Sequence, residues 1–183
     1  MLTWLKANEA IWLIWQAICC NMKTLHIVRH GKSSWDLPEI SDIDRPLLPK
    51  GITTNYEYAS IIKKKFQKPD LILSSPACRA VHTALIVARV FEIRASQLII
   101  NEKIYESNVS TILKIIEETS ENIDSLVIVG HNPTFTELAN LFFPITINNL
   151  ATSGIVTLQF DSKNWAITNK TPIFTEINSP KKD

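Results

Sequence analysis

Three stretches of this 183-residue chain end an apolar run with a sudden group of polar, ionisable side chains. They are LHIVRHG (25–31), LILSSPACR (71–79) and LVIVGHNP (126–133). Together they supply Arg29, His30, Ser74, Ser75, Arg79 and His131. Such groups do not belong on a strand buried on both faces unless each finds a partner. In an open α/β sheet, ligands bind beyond the carboxyl ends of the strands. The six residues are therefore expected to converge on one crevice.

That crevice is suited to phosphate. Ser75-Pro76 reads as an N-cap followed by proline at the first helical position, and Asn132-Pro133 repeats the device after His131. Two helix N-termini would then point N–H groups at the site. Arg29 and Arg79 would add planar, bidentate positive charge. The chain has no GxxxxGK[ST] motif, so it is no nucleotide P-loop. It has no carboxylate cluster with histidine at metal-ligand spacing, so neither metal nor cofactor is expected.

Two histidines among arginines point to covalent chemistry. Neighbouring positive charge disfavours imidazolium, which would keep His30 neutral and nucleophilic at pH 7. Its nitrogen would attack phosphorus while the arginines neutralise the equatorial oxygens. Water would then hydrolyse the phosphohistidine. Glu106, in IYES, is the candidate acid for the leaving group, with a phosphate dianion nearby to keep it protonated. Lys32 and Ser33 are candidates for phosphate contact through the loop after the first strand.

The elements that must hold these residues alternate. Thr24–Arg29, Leu71–Leu73, Gln97–Ile100 and Ser125–Val129 read as strands. Ile52–Phe66, Pro76–Phe91, Val109–Ser120 and Pro133–Leu141 read as helices; the second carries Ala77, Ala80, Val81, Ala84, Leu85, Ala88 and Phe91 as one stripe. Lys32 to Lys50 reads as a long loop. Gly154–Phe160 and Trp165–Thr168 read as a closing hairpin, and the tail after Thr175 as polar. The alternation predicts an α/β fold, a three-layer sandwich with a mostly parallel central sheet. The expected organisation is an extension (1–21), one domain (22–175) and a polar tail (176–183).

Bulk properties narrow the function classes. Hydrophobic residues make up 45% and charged residues 20%, with a net charge of +1. Lys63, Lys64 and Lys65 form a solvated helix face, and no nucleic-acid partner is expected. Cys19, Cys20 and Cys78 form no disulfide framework, which fits a reducing, cytoplasmic setting. The apolar run Ala10 to Cys20 is about half the length that spans a bilayer. The favoured reading is a start assigned too far upstream, with Met22 as the natural one. An interfacial helix on Trp4, Trp12 and Trp15, or an integral part of the fold, are the alternatives. Membrane contact is not expected.

Arg29-His30-Gly31 resembles the RHG motif of the histidine phosphatase superfamily, which includes phosphoglycerate mutases and acid phosphatases. RHGKSSW, DRPLLPKG (44–51), SSPACRAVHTA, YES and VGHNP stand in the order and spacing of the SixA-type phosphohistidine phosphatases, over roughly Lys23 to Phe160. The resemblance implies a phosphoglycerate-mutase-like fold with His30 as phosphoacceptor. It implies that Arg29, Arg79 and His131 bind the phosphoryl group, and that Glu106 occupies the acid's position. The favoured substrate class is a phosphorylated protein (phosphohistidine), with a small phosphate ester as the runner-up and a catalytically silent phospho-group binding module as the rival from another class. Many close relatives carry Ala at the position of Gly31, and Cys78 and His82 replace a basic residue and Gln.

Other residues read as structural. His26 precedes the site and reads as a packing residue, and His82, one turn beyond Arg79, likewise. Arg45 serves either the pocket mouth or a structural ion pair. Cys78 is no phosphatase-type nucleophile, because position 84, where the arginine would stand, is Ala.

Overall fold

The computed structural model describes residues 22–35 and 39–180. The expectations for residues 1–21, including Trp4, Trp12, Trp15, Cys19 and Cys20, lie outside the described residues. The elements run β1 (Met22–Arg29), α1 (Pro49–Lys65), β2 (Leu71–Ser74), α2 (Cys78–Phe91), β3 (Leu98–Ile100), α3 (Val109–Glu117), β4 (Ser125–Gly130), α4 (Thr134–Asn140), β5 (Ile155–Asp161) and β6 (Phe174–Asn178). Short 3-10 turns lie at Asp42–Asp44, Ala95–Gln97 and Glu102–Ile104. Among the described residues, no helix is long and apolar enough to cross a membrane.

The strands form one sheet in the order β3-β2-β4-β1-β5-β6. β1 pairs in parallel with β4, as β2 does with β4 and β3. β5 runs antiparallel to both neighbours. Alternate residues of each strand point to opposite faces. Leu25, Ile27, Leu126 and Ile128 pack with Ile112, Ile116, Phe135 and Leu138 of α3 and α4. Val28, Val127 and Val129 pack with Ala59 and Ile62 of α1 and with Ala80, Ala84 and Val87 of α2. Both faces are covered, which is why β4 is a continuous apolar run without alternation. The three layers agree with the sequence reading.

Two element assignments need correction. The antiparallel partner of β5 is β6 at Phe174–Asn178, inside the segment read largely as a polar tail, and not Trp165–Thr168. Trp165 and Ile167 are apolar because both are fully buried in the α3/α4-side core. Trp165 Nε1 donates to the Ile123 carbonyl at 2.9 Å. β6 is an edge strand, so its FTEIN sequence looks like solvent-facing tail.

The helix starts also differ. α2 is capped by Ala77, with no side-chain cap, and α4 by Pro133, which follows a cis Asn132-Pro133 bond. Ser75 and Pro76 therefore precede α2. The Ser75 hydroxyl reaches the Ala77 N–H at a long 3.4 Å while engaging His131 at 2.8 Å.

Candidate active site

Strand register builds the site. Arg29 is paired with Gly130 and Ser74 with Val129 across the parallel ladders. The next residues, His30, His131 and Ser75, then emerge together at the carboxyl ends of three adjacent strands. The His30 and His131 ring centroids are 4.9 Å apart. His30 is buried, and His131 and Arg29 are half-buried.

His30 Nδ1 lies 2.7 Å from the Gly31 carbonyl. A carbonyl only accepts, so Nδ1 carries the proton and donates, leaving the Nε2 lone pair free for attack. Burial pushes the His30 pKa down to about 4; the Gly31 hydrogen bond opposes this, and the Arg79, Arg29 and Arg45 charges reinforce it. The ring is thus neutral, as expected from sequence, but burial outweighs the arginines as the cause.

His131 Nε2 lies 2.8 Å from Ser75 Oγ. Ser75 Oγ also accepts from the Ala77 N–H, which leaves it a second lone pair and its own proton for the contact with Nε2. His131 Nδ1 is buried and has no hydrogen-bond partner among the described residues. Burial first, then His30 and Arg79, lowers the His131 pKa to about 3. The neutral ring lines the same pocket as Asp42, Arg79 and Glu106.

Arg29 Nη1 donates to Leu150 O at 2.6 Å and to Asn149 Oδ1 at 3.2 Å. Asn132 Nδ2 donates to the same two acceptors, at 3.0 and 2.7 Å respectively. Arg29 Nε is buried without a partner among the described residues.

Asp42, which the sequence reading did not single out, organises the other side. Arg79 Nη2 donates to its Oδ2 at 2.7 Å and Arg79 Nη1 to its carbonyl. Arg45 Nη1 donates to Oδ1 at 2.7 Å, and the Tyr105 hydroxyl to Oδ2 at 2.8 Å. Burial alone would raise the Asp42 pKa, but the hydrogen bonds from Arg79, Tyr105 and Arg45 hold it well below the usual carboxylate range. Of the two readings of Arg45, the structure shows the ion pair; its partner Asp42, and not Arg45 itself, lines the pocket. The sequence signal available for Asp42 was its position three residues before Arg45, in SDIDRP.

Glu106 is exposed, with a left-handed φ of 51°. It lines a pocket of about 370 Å³ with Asp42, Arg79, Tyr105, His131 and Thr134. Ser33 is buried, and its Oγ accepts from Arg45 Nη2 at 2.8 Å. Lys32 is exposed and borders a separate groove with Arg29, Lys50 and Asn149. Ser74 Oγ donates to the Ser75 carbonyl. His26 is fully internal, with Nδ1 at 2.9 Å from Thr157 Oγ1. Trp35 stands exposed with the Arg45 guanidinium 3.2 Å from its ring centroid. Among the described residues, no group of three or more His, Cys, Asp or Glu side chains is placed to hold a metal ion.

An uncharacterized protein of Mycobacterium tuberculosis is 28% identical over 141 residues, covering 76% of this chain and 85% of that protein. The structure of a putative phosphohistidine phosphatase SixA from Nakamurella multipartitia superposes with a TM-score of 0.73 at 20% identity, covering 87% of this chain and 96% of that one. The corresponding SixA structure from Agrobacterium tumefaciens gives 0.71 at 24% identity, covering 86% and 99%. At these identities the superpositions speak to the fold. Residues 25–123, more than half the chain, match the family model described as histidine phosphatase superfamily (branch 1), and they contain His30, Arg79 and Glu106. The chain belongs to the histidine phosphatase superfamily, branch 1.

Proposed function

We propose that this protein is a metal-independent phosphatase that takes a phosphoryl group onto His30 Nε2, with protein phosphohistidine as its substrate class. The observation that carries this reading is the His30 ring itself. It is neutral, its Nδ1 proton is committed to Gly31, and its free nitrogen lies beside His131 and two guanidiniums. In the first step the Nε2 lone pair forms a bond to phosphorus as the bond to the leaving group breaks. Arg29, Arg79 and His131 take up the charge on the equatorial oxygens. In the second step water attacks phosphorus, the P–N bond breaks and His30 returns as neutral imidazole.

The exposed mouth around Tyr105, Glu106 and Asp42 supports a side chain presented by another protein. The resemblance of the fold to SixA structures supports the same class. Glu106 favours a second reading, a small-molecule phosphomonoesterase. An alkoxide leaves badly and needs a proton, and a carboxyl lining the pocket beside His131 is placed to give one. A phosphohistidine leaves as neutral imidazole and needs little help.

One experiment tests the chemistry and ranks the substrates. With excess chelator present, the wild type should retain activity and yield an acid-labile phosphoenzyme, and His30→Ala should lose at least about 10³-fold. Glu106→Gln should then cost about 10²-fold or more on an alkyl phosphate and far less on a phosphohistidine protein. Abolition by chelator would overturn metal independence. A wild-type preference for the ester above about tenfold, roughly 1.4 kcal/mol, would favour the monoesterase. Equal large losses from Glu106→Gln would show that Glu106 orients groups without donating a proton.

A further inference from the structure

The His30 ring hangs from a residue that has no side chain of its own. Gly31 accepts from His30 Nδ1 at 2.7 Å through its carbonyl, and its N–H donates to Thr83 Oγ1 at 3.1 Å. Glycine has the freest backbone of any residue. A ring held by a glycine carbonyl is therefore only as ordered as the bonds that fix that glycine.

Those bonds meet at one oxygen. Thr83, on α2 one turn after Arg79, is 1% exposed. Its hydroxyl accepts from the Gly31 N–H and from Asn55 Nδ2 at 3.0 Å, and it donates to the Arg79 carbonyl at 2.7 Å. Both acceptor sites and the single proton of the hydroxyl are used. One oxygen thus links the loop after β1, helix α1 and the turn of α2 that carries Arg79.

Packing supports the same seat. A Cβ at Gly31 would lie 2.5 Å from Asn55 Nδ2 and 3.0 Å from the Gly51 carbonyl. A Cβ at Gly51 would lie 2.3 Å from the Lys32 carbonyl. The loop after β1 is pressed against α1, and the Asn55 amide fills the space a side chain at position 31 would need. Asn55 itself is 4% exposed.

From this juxtaposition we infer that Thr83 and Asn55 are positioning residues for the reaction. They hold Gly31 so that its carbonyl keeps the proton on His30 Nδ1 and aims Nε2 at the phosphoryl group. The inference rests on the reading of His30 as nucleophile. Neither residue touches substrate.

The test uses the full chain and a chromogenic phosphate ester. Thr83→Val keeps the volume and removes the hydroxyl. It should lower kcat by about 10- to 10²-fold, the range a small misplacement of a reacting group produces. KM should change by less than about threefold, because the loss falls on the chemical step. Thr83→Ser should restore most of kcat. A second series stays informative even if Thr83→Val does not fold. Asn55→Ala should lower kcat with KM nearly unchanged, as Thr83→Val does, and Gly31→Ala, whose methyl meets the Asn55 amide, should lose activity as well. Wild-type kcat in Thr83→Val or in Asn55→Ala, or a Ser variant as poor as Val, would overturn the inference. A wild-type protein that turns over no phosphate compound and forms no phosphoenzyme would instead overturn the phosphatase reading.

Discussion

Arg79 meets two demands with one guanidinium. Its two terminal nitrogens hold the Asp42 carboxylate and carbonyl, and on the proposed function the fork also presents N–H groups to a phosphoryl oxygen. An ammonium has three donors on one atom and no planar fork. Arg79→Lys is therefore expected to lose nearly as much kcat/KM as Arg79→Ala; a Lys variant that keeps most of its activity would contradict this. The two histidines make a second prediction. In the free enzyme His30 and His131 stay neutral down to about pH 4 and 3. After correction for the substrate's own ionisation, kcat/KM should stay level from pH 7.5 to 5.5, where an ordinary histidine would already be gaining its proton. An acid limb centred near pH 6.5 would show that His30 is less secluded than its burial implies. At this scale the sequence made the convergence of Arg29, His30, Arg79 and His131 legible, because a charged group after an apolar run has few structural excuses. Asp42, Tyr105 and Thr83 were not legible. Their roles come from through-space partners 37, 63 and 52 residues away, and nothing local distinguishes them from surface or helix residues.

The strands and helices were legible where periodicity or continuous apolar runs are strong. β1, β2, β4 and α2 fall where the pattern placed them, because each buries a face or both. The C-terminal pairing was not. Trp165 and Ile167 mimic a strand by being apolar, while β6 conceals itself by lying at an edge. The cap positions also misled: Ser75-Pro76 has the signature of a helix start, yet the hydroxyl is drawn to His131 and α2 begins at Cys78. An element-scale prediction follows from β4 and α4. A Cβ at Gly130 would lie 2.3 Å from the Phe135 ring, which is fully buried. Gly130→Ala should cost about 1–3 kcal/mol of stability, the usual range for overpacking a core. Denaturant unfolding measures it, and a cost below about 0.5 kcal/mol would mean that Phe135 rotates away freely.

For the molecule as a whole, buried neutral histidine sets an acid limit. Burial holds His26 at about 4 in the fold, against about 6.5 in the unfolded chain. Between those values the unfolded chain binds the extra proton, so stability is complete above pH 6.5 and falls as pH drops toward 4. The slope is about 1.4 kcal/mol per pH unit for each such histidine. Melting temperature should decline over that window, and His26→Leu should flatten the decline; an unchanged slope would remove His26 from the account. We also expect a chain starting at Met22 to melt within a few degrees of the full chain and to stay active, since residues 1–21 carry none of the site motifs and precede β1. A drop of many degrees would show that residues 1–21 pack into the core. The sheet order has a consequence for synthesis. β1 leaves the ribosome early, but its two neighbours are β4 and β5, about a hundred or more residues later. Until Ile155–Asp161 has emerged, β1 has an open edge, and His30 lacks the Gly154 and Ser153 backbone contacts that brace it and Arg29. Pairings of such long range close late. A nascent chain halted before residue 155 would carry all four histidines and both site arginines without the strand that braces them, so on the proposed function activity in a translation mixture would appear only once Ile155–Asp161 has emerged.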